Sequence, residues 1–132
     1  MFGFCLKLEE VKLFKNVKKV KKLEGMFQDC FSIKDIQFND IETKNVYDMT
    51  AMFDNCRSLT SLDLSKFDTS SVMSMSQMFR YCVSLNSINI SSFKTDKVIS
   101  MSYMFFECEK LSSIDLSNFI TENVKDMSLM FY

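Results

Sequence analysis

The 132-residue chain contains no proline, no histidine and no tryptophan, and it has only two glycines. Without histidine, the usual base that activates a serine nucleophile is missing, as is a common zinc-binding partner of cysteine. Because glycine and proline are prominent turn-forming residues, the chain must fix its corners by other means, such as side-chain hydrogen bonds. These absences argue against a histidine-dependent enzyme and against a zinc protein.

A strong overall charge and a long apolar run are also missing. The net charge is −1 at pH 7, which gives no strong electrostatic case for nucleic-acid binding. No apolar run approaches the ~20 residues that a membrane-spanning helix needs. The opening residues, MFGFCLKLEE, become charged within seven positions, unlike a secretory signal peptide. We therefore expect no nucleic-acid partner, no membrane span and no signal peptide in this chain.

The small net charge conceals an asymmetry along the chain. Residues 1–25 hold seven lysines against three glutamates, a net charge of +4, whereas the remaining residues hold nine basic and fourteen acidic side chains, a net charge of −5. The N-terminal part is therefore basic and the rest is acidic.

What the chain has in place of turn formers is a repeat of about 26 residues. Cysteines recur with steps of 25, 26, 26 and 26, at Cys5, Cys30, Cys56, Cys82 and Cys108. Met-Phe pairs recur with the same steps and one further step of 26, and they begin at Met1, Met26, Met52, Met78, Met104 and Met130. A second methionine column lies at Met49, Met75, Met101 and Met127. Such a period is typical of stacked repeat proteins.

Each repeat contains two different hydrophobic periodicities. The segment LTSLDLS at 59–65 alternates apolar and polar residues, which predicts a short strand with one buried face. From Val72 to Leu85 the apolar residues follow a helical spacing, and Ser74 is well placed as an N-cap. Because one such unit cannot bury its apolar face alone, we predict an α/β repeat solenoid of about five coils, each with a short parallel strand and a short helix.

The register divides the chain into units. We predict a single solenoid over 1–132, with units 1–25, 26–51, 52–77, 78–103 and 104–129 and the start of a further unit at 130–132. Neither end carries a polar capping unit, which solenoids need. We therefore expect a fragment of a longer array, whose apolar ends allow end-to-end self-association.

The cysteines favour a structural interpretation. No two of them are closer than 25 residues, so the close pairs of a zinc site are missing. Neighbouring coils would bring the cysteines near one another, but stacked columns point their Cβ atoms in parallel, and five is an odd number. We therefore predict buried free thiols, no metal, no cofactor and no catalytic residue.

Hydroxyl residues recur where the bends are expected. Threonines lie at Thr43, Thr69, Thr95 and Thr121, and serines lie at Ser65, Ser91 and Ser117. In a chain this poor in glycine, such side chains are expected to fix the corners by bonding to the local backbone.

The outward positions of the strands are candidates for binding. Their side chains are small, polar or acidic, and they would form parallel rows about 4.8 Å apart on one surface; the candidate residues are Asp35, Gln37, Ser61, Asp63, Ser87, Asn89, Ser113 and Asp115. Such rows suit broad contact with a protein or a glycan. The alternative is that they only solubilise the strands, whose exposed faces are polar in any case.

The segments CRSLTSLDLSKFDTSSVMSMSQMF at 56–79 and CEKLSSIDLSNFITENVKDMSLMF at 108–131 resemble the BspA-like leucine-rich repeat of bacterial and protist surface proteins. The resemblance covers essentially the whole chain, and it is weakest in the first unit. It implies a leucine-rich-repeat-like solenoid at the cell surface or in secreted form, with a role in adhesion. It transfers no catalytic and no ligand-binding residue.

Three functions follow from these patterns. The first is a non-enzymatic binding or adhesion module for extracellular proteins or glycans. The second is an intracellular scaffold for protein–protein interaction, where the thiols would stay reduced. The third is a polysaccharide-active β-solenoid enzyme, which would need polar residues that break the repeat at one place. The departures we find, Met73 and Phe106, are apolar, so we expect no enzyme.

Overall fold

The computed structural model, which describes residues 3–13, 20–39 and 41–132, shows a chain wound into stacked coils. Four short strands lie along one side: β1 (Glu10–Leu13), β2 (Asp35–Phe38), β3 (Ser61–Asp63) and β4 (Ser87–Asn89). β1 pairs with β2 and β3 pairs with β4, and both pairs are parallel. Each of the first four passes of the repeat therefore adds one strand to the stack.

The strands bury alternate side chains, as the sequence pattern predicts. Ile36 and Phe38 of β2 and Leu62 of β3 are buried. Gln37 and Asp63, which point the other way, are exposed. One face of the strands therefore covers the core and the other meets solvent.

The predicted helices do not form. No residue in the described ranges lies in a helix, so the prediction of an α/β solenoid with one helix per coil is wrong. The chain makes turns at 49–52 and at 53–56, and each is closed by a bond from the last amide to the first carbonyl. Ala51 and Asn55 occupy the third position of these turns with φ values of 53° and 65°. This left-handed geometry is that of type II turns and is incompatible with an α-helix.

Bonds between coils explain why turns replace the helix. The amides of Met49, Ala51 and Phe53 each donate to a carbonyl of the next coil, at distances between 2.9 and 3.0 Å. In a helix these amides would bond to carbonyls four residues earlier in the same segment. Apolar residues spaced by three fit such turns as well as they fit a helix, and the turns let every coil bond to its neighbour.

The centre of the solenoid is a column of phenylalanine rings. Five rings stack face to face, with centroids 5.3–5.6 Å apart and planes within 11° of parallel; they are Phe27, Phe53, Phe79, Phe105 and Phe131. The methionine columns pack beside them, and Met52, Met75 and Met78 have no exposed surface. The Met-Phe pairs that begin at Met26, Met52, Met78 and Met104 are therefore core residues, whose shapes repeat from coil to coil.

The cysteines line the same core. None of the five forms a disulfide; Cys30, Cys56 and Cys82 are buried, whereas Cys5 and Cys108 are half-buried. The Cys82 thiol donates a hydrogen bond to the Phe53 carbonyl at 3.2 Å. The prediction of buried free thiols is confirmed for the three inner cysteines.

Threonine hydroxyls fasten one coil to the next. The Thr69 hydroxyl accepts a hydrogen bond from the Lys94 amide at 2.7 Å and donates one to the Lys94 carbonyl at 2.9 Å. Thr43 makes the same pair of bonds to Asp68, and Thr95 makes them to Ile120. The sequence predicted bonds to the local backbone, but these hydroxyls bond to the backbone of the following coil. This makes each buried threonine a link in the stack.

Candidate functional site

The strand face brings the candidate residues together as rows. Ser61 lies beside Ser87, and Asp63 lies beside Asn89, in the register of β3 and β4. Seven of the eight candidates are exposed, and the eighth, Asp35, is half-buried. Whether this face binds a partner stays a prediction, because its geometry alone does not identify a ligand.

Shallow grooves connect the rows across the strands. Asp35 and Gln37 of β2 share one groove with Ser61 and Asp63 of β3. A second groove joins Ser61 and Asp63 to Ser87 and Asn89 of β4, so the face is continuous from β2 to β4.

The last two candidates lie beyond β4. Ser113 and Asp115 line a further groove with Ser87, although residues 113–115 form no strand. The predicted rows thus extend to the fifth coil, but the regular strand ladder does not.

Three candidate side chains also shape the backbone. The carboxylates of Asp63 and Asp115 accept hydrogen bonds from the amides two residues later, each at 2.9 Å. The Asn89 side chain accepts the equivalent bond from Ser91 at 3.2 Å. The bond from the Ser65 amide lowers the pKa of Asp63, and the Ser117 amide lowers the pKa of Asp115. Both carboxylates are therefore negative at neutral pH. Asp63 closes a turn at the end of β3, and Asp115 closes the equivalent turn in the fifth coil.

The N-terminal end of the face is held by polar pairs. The Gln37 amide donates to the Asp35 carboxylate at 2.8 Å. Lys34 forms an ion pair with Glu9 of the preceding coil at 2.9 Å, with both side chains largely exposed. Contacts of this kind contribute little to stability, so their side chains can exchange partners at modest cost.

A polar network on the turn side was not predicted from the sequence. Asp54 is 1% exposed, and its carboxylate accepts two hydrogen bonds from Arg80, both at 2.9 Å, and one from Gln28 at 3.1 Å. The bond to Asp54 raises the pKa of Arg80. Because the buried carboxylate is fully paired, this network links three coils and offers no reactive group.

One signal in the sequence could have located this network. Gln28, Asp54 and Arg80 occupy the same column of the repeat, as does Phe106. The other core columns conserve their chemistry from unit to unit, whereas this one changes from amide to acid to base to aromatic. A column that varies in this way allows contacts between unlike neighbours.

Aromatic side chains continue this column toward the C-terminal end. Phe106 contacts Tyr81 and Tyr103 with ring centroids 5.5 and 5.4 Å apart, and it stacks on Tyr132 at 5.1 Å. The Arg80 guanidinium lies 5.4 Å from the Tyr81 ring. Three of the four rings are half-buried against one another, so this cluster packs the outer side of the turns.

The thiols are unsuited to nucleophilic chemistry. Burial raises the pKa of Cys82 well above its ordinary value, and it raises the pKa of Cys108 to about 12. A thiol reacts through its thiolate, and neither group ionises at neutral pH. These two cysteines act as packing residues.

The described ranges contain no cluster of three or more residues that would hold a metal ion. Among the same residues, no helix has the length and hydropathy to cross a membrane.

A search of solved structures identifies a similar fold. The chain resembles a leucine-rich repeat protein from Eubacterium ventriosum ATCC 27560, solved by crystallography at 2.50 Å resolution, with a TM-score of 0.56 and 22% sequence identity. The match covers 94% of this chain and 30% of that protein, so the chain spans less than a third of its length. At this identity the likeness shows the fold alone: a leucine-rich-repeat-like solenoid.

Sequence comparison identifies the family. No curated protein matches the chain significantly. The narrower BspA-like resemblance stays a prediction, because neither comparison names it. Residues 1–62 and 47–132 match a family described as "Mycoplasma protein of unknown function, DUF285". Since the two matches together span the whole sequence, the chain belongs to the DUF285 family.

Proposed function

We propose that this chain is a non-enzymatic binding module that uses its strand face to contact another protein outside a cell. The observation that carries the proposal is the continuous exposed face of small polar side chains, in which Ser61 and Asp63 lie in register with Ser87 and Asn89. A regular, shallow surface of this kind suits a macromolecule more than a small ligand, which binds in a concave and mostly apolar pocket.

The chemistry of this face favours a partner with a basic surface. Asp63 and Asp115 carry carboxylates that stay ionised at neutral pH, and no aromatic side chain lies among the eight outward positions. Contact therefore depends on hydrogen bonds and charge. Electrostatic complementarity of this kind accelerates association and selects the partner.

A catalytic role has no support among the polar groups that the structure brings together. The buried carboxylate of Asp54 is paired with Arg80, and the carboxylates of Asp63 and Asp115 close turns. General acid–base chemistry needs a group poised near the operating pH, and the chain contains no histidine. A polysaccharide-active enzyme is therefore the less favoured function.

Adhesion at the cell surface, or in secreted form, belongs to this proposal because the repeat resembles the BspA-like pattern. The free thiols are compatible with it. Cys56 and Cys82 are buried, and burial raises the pKa of both, so they resist oxidation even in an oxidising environment. A reducing compartment is not required to keep them free.

The test is binding of the immobilised chain to a panel of extracellular-matrix proteins, glycans and whole cells. We expect saturable binding to at least one protein of the panel, reduced at least about tenfold in the double variant Ser61→Arg/Ser87→Arg, which places two bulky cations on the face. The matched control is Asn45→Arg/Ser71→Arg, which adds the same charge 26 residues apart but away from the strands.

Retained binding in the control and lost binding in the strand-face variant would support the proposal. Equal binding of both variants would place the contact elsewhere on the molecule. No binding to any protein of the panel, or binding to glycans alone, would contradict the proposed partner class.

A further inference from the structure

A row of apolar side chains lies exposed on the side of the inner coils. Tyr47, Met73 and Ile99 occupy the same position in three consecutive repeats, and they are 38%, 47% and 39% exposed. Each of them is hydrogen-bonded through its backbone to a coil below and to a coil above, so further repeats at either end would not cover the row. The row is therefore a lateral surface of the solenoid.

Backbone hydrogen bonds hold the row in register. The Met73 amide donates to the Tyr47 carbonyl, and the Ile99 amide donates to the Met73 carbonyl, each at 2.8 Å. The position that follows in each coil is joined to its neighbours by parallel bridges. Residues on neighbouring rungs lie about 4.8 Å apart, so the three side chains form one continuous strip. Such a strip, unlike scattered single residues, favours an interaction surface.

The hydroxyl groups beside the row bond to one another. Thr50 and Ser74 share a hydrogen bond at 2.8 Å, and Ser76 and Ser100 share one at 2.6 Å. All four residues are half-buried. Because these groups already have partners, contact with this surface depends on the apolar row and on the charges at its borders.

Charged residues border the row, and their sign changes along the solenoid. Lys44 and Asp96 hold the same position at one border, one coil to either side of the Met73 coil, and both are exposed. At the other border, Lys22 and Asp126 belong to one bridged column and lie two coils to either side of the Met73 coil. Both borders are therefore positive before the Met73 coil and negative after it.

We propose that this row binds the same row of a second copy of this chain, with the coils of the two copies in opposite order. The two-fold axis lies between the copies and runs along the Met73 coil. Met73 then contacts its equivalent in the second copy, and Tyr47 contacts Ile99 of that copy. Because both copies use the same surface, the contact is isologous and closes as a dimer.

Charge selects this occupant and its orientation. In the proposed register, Lys44 lies opposite Asp96 of the second copy, and Lys22 lies opposite Asp126. The two-fold symmetry makes each of these pairs occur twice. If the coils of the two copies ran in the same order, the same groups would lie two and four coils apart. The carboxylates at the borders also disfavour an anionic membrane surface as the occupant.

One contact in this register is unfavourable. Lys21 and Lys125 follow the row at its two ends, because they bond to Tyr47 and Ile99 through the backbone. The reversed order of coils places Lys21 opposite Lys125 of the second copy. A change of sign at Lys125 should therefore strengthen the association, a result that few other arrangements predict.

The contact surface is small, since the row has one apolar residue in each coil. Stable complexes bury about 800 Å² on each partner. We therefore expect a weak dimer, with a dissociation constant on the order of 10 μM.

Sedimentation equilibrium of the full chain over a concentration series tests the proposal. We expect the average mass to rise with concentration toward twice the mass of one chain. Met73→Asp, which places two carboxylates against each other on the two-fold axis, should abolish this rise. Because the Met73 side chain is exposed, the variant should keep the thermal unfolding midpoint of the unmodified chain.

Charge variants test the register. Lys44→Asp and Asp96→Lys should each weaken the dimer by about tenfold, because attraction becomes repulsion at two symmetric places. The double variant Lys44→Asp/Asp96→Lys exchanges the charges and should recover most of the lost affinity. Lys125→Glu should tighten the dimer by about threefold, because it replaces repulsion from Lys21 by attraction.

Glu109→Lys is the matched control for Asp96→Lys. Glu109 is exposed as well, but it follows the turn at 105–108 and lies outside the row and its borders. This variant should associate as the unmodified chain does. Thermal unfolding of every variant establishes that it is folded.

A monomer at all concentrations up to about 1 mM would overturn the proposal, as would association that Met73→Asp leaves unchanged. Equal effects of Asp96→Lys and Glu109→Lys, no recovery in the double variant, or a weaker dimer in Lys125→Glu would overturn the proposed register. Loss of binding at the strand face would leave these outcomes unchanged.

Discussion

The inner coils and the last coil carry nearly the same sequence motif, yet they differ in packing. Phe79 and Met75 have no exposed surface, whereas Phe131 and Met127, the equivalent residues two units later, are about half exposed. One copy of the motif therefore does not bury its own apolar side chains. Burial in this solenoid comes from the coils on either side, as in other repeat proteins whose stability is the sum of units and nearest-neighbour contacts.

Truncation of equivalent rings should give the largest contrast between the two regions. Phe79 stacks between Phe53 and Phe105, so Phe79→Ala should lower the free energy of unfolding by about 3–5 kcal/mol through lost burial and the cavity left behind. Phe131→Ala removes a ring that is already half exposed and should cost less than about 1 kcal/mol. Urea unfolding of both variants measures the difference, and equal losses would contradict the coil-by-coil account.

The threonine links should give a smaller contrast. Thr69→Val removes a buried hydroxyl and leaves the Lys94 amide and carbonyl without their partner, at a cost of about 2 kcal/mol in unfolding free energy. Thr121 holds the same column but is exposed in the last coil, so Thr121→Val should change stability by less than about 0.5 kcal/mol. Thermal unfolding at one pH compares the two, and an equally large loss at Thr121 would show that this column does not act by linking coils.

The smallest contrast concerns Asp48 and Asp126, which share one column. Burial opposes the charge of Asp48, but hydrogen bonds from Thr50 and Lys22 outweigh burial and hold its pKa below the ordinary value of 3.8. A depressed pKa stabilises the folded chain above the unfolded value, and this contribution is lost as pH falls through the folded value. Asp48→Asn should therefore lose less unfolding free energy than the unmodified chain below about pH 4, and the difference should be on the order of 0.5 kcal/mol.

Asp126 provides the matched comparison. The Ser128 amide lowers its pKa, but the carboxylate is fully exposed. Asp126→Asn should therefore reduce the loss of unfolding free energy at acid pH less than Asp48→Asn does. The unfolding free energy of both variants can be measured between pH 2 and 7. If it falls at acid pH as steeply in Asp48→Asn as in the unmodified chain, Thr50 and Lys22 do not stabilise this carboxylate.

The repeat made much of this architecture predictable from the sequence. The columns of cysteine, methionine and phenylalanine marked the core, and the alternation around Leu62 marked the strands. Helix and turn could not be told apart, because apolar residues spaced by three fit both. The turns also need left-handed residues at Ala51, Gln77 and Tyr103, and none of these is a residue type that signals positive φ. In that column only Gly25 is a residue type that indicates positive φ.

The outward strand positions could be identified by the same alternation, since a period of two fixes which side chains face solvent. The turn-closing roles of Asp63 and Asp115 could not, because they depend on the backbone two residues later. The ion pair between Asp54 and Arg80 left only a partial signal: the changing chemistry of its column allows contacts between unlike neighbours, but it does not show which groups pair. Contacts between unlike neighbours need the coordinates.

The central claim is that the coils stack with their cysteine column inside. Pulse alkylation of the native chain, followed by mass spectrometry of its peptides, tests this claim most directly. We predict that Cys30, Cys56 and Cys82 stay unmodified in the native chain and that all five cysteines react in urea. Rapid modification of Cys82 under native conditions would contradict the stacked core, because this thiol lies at its centre.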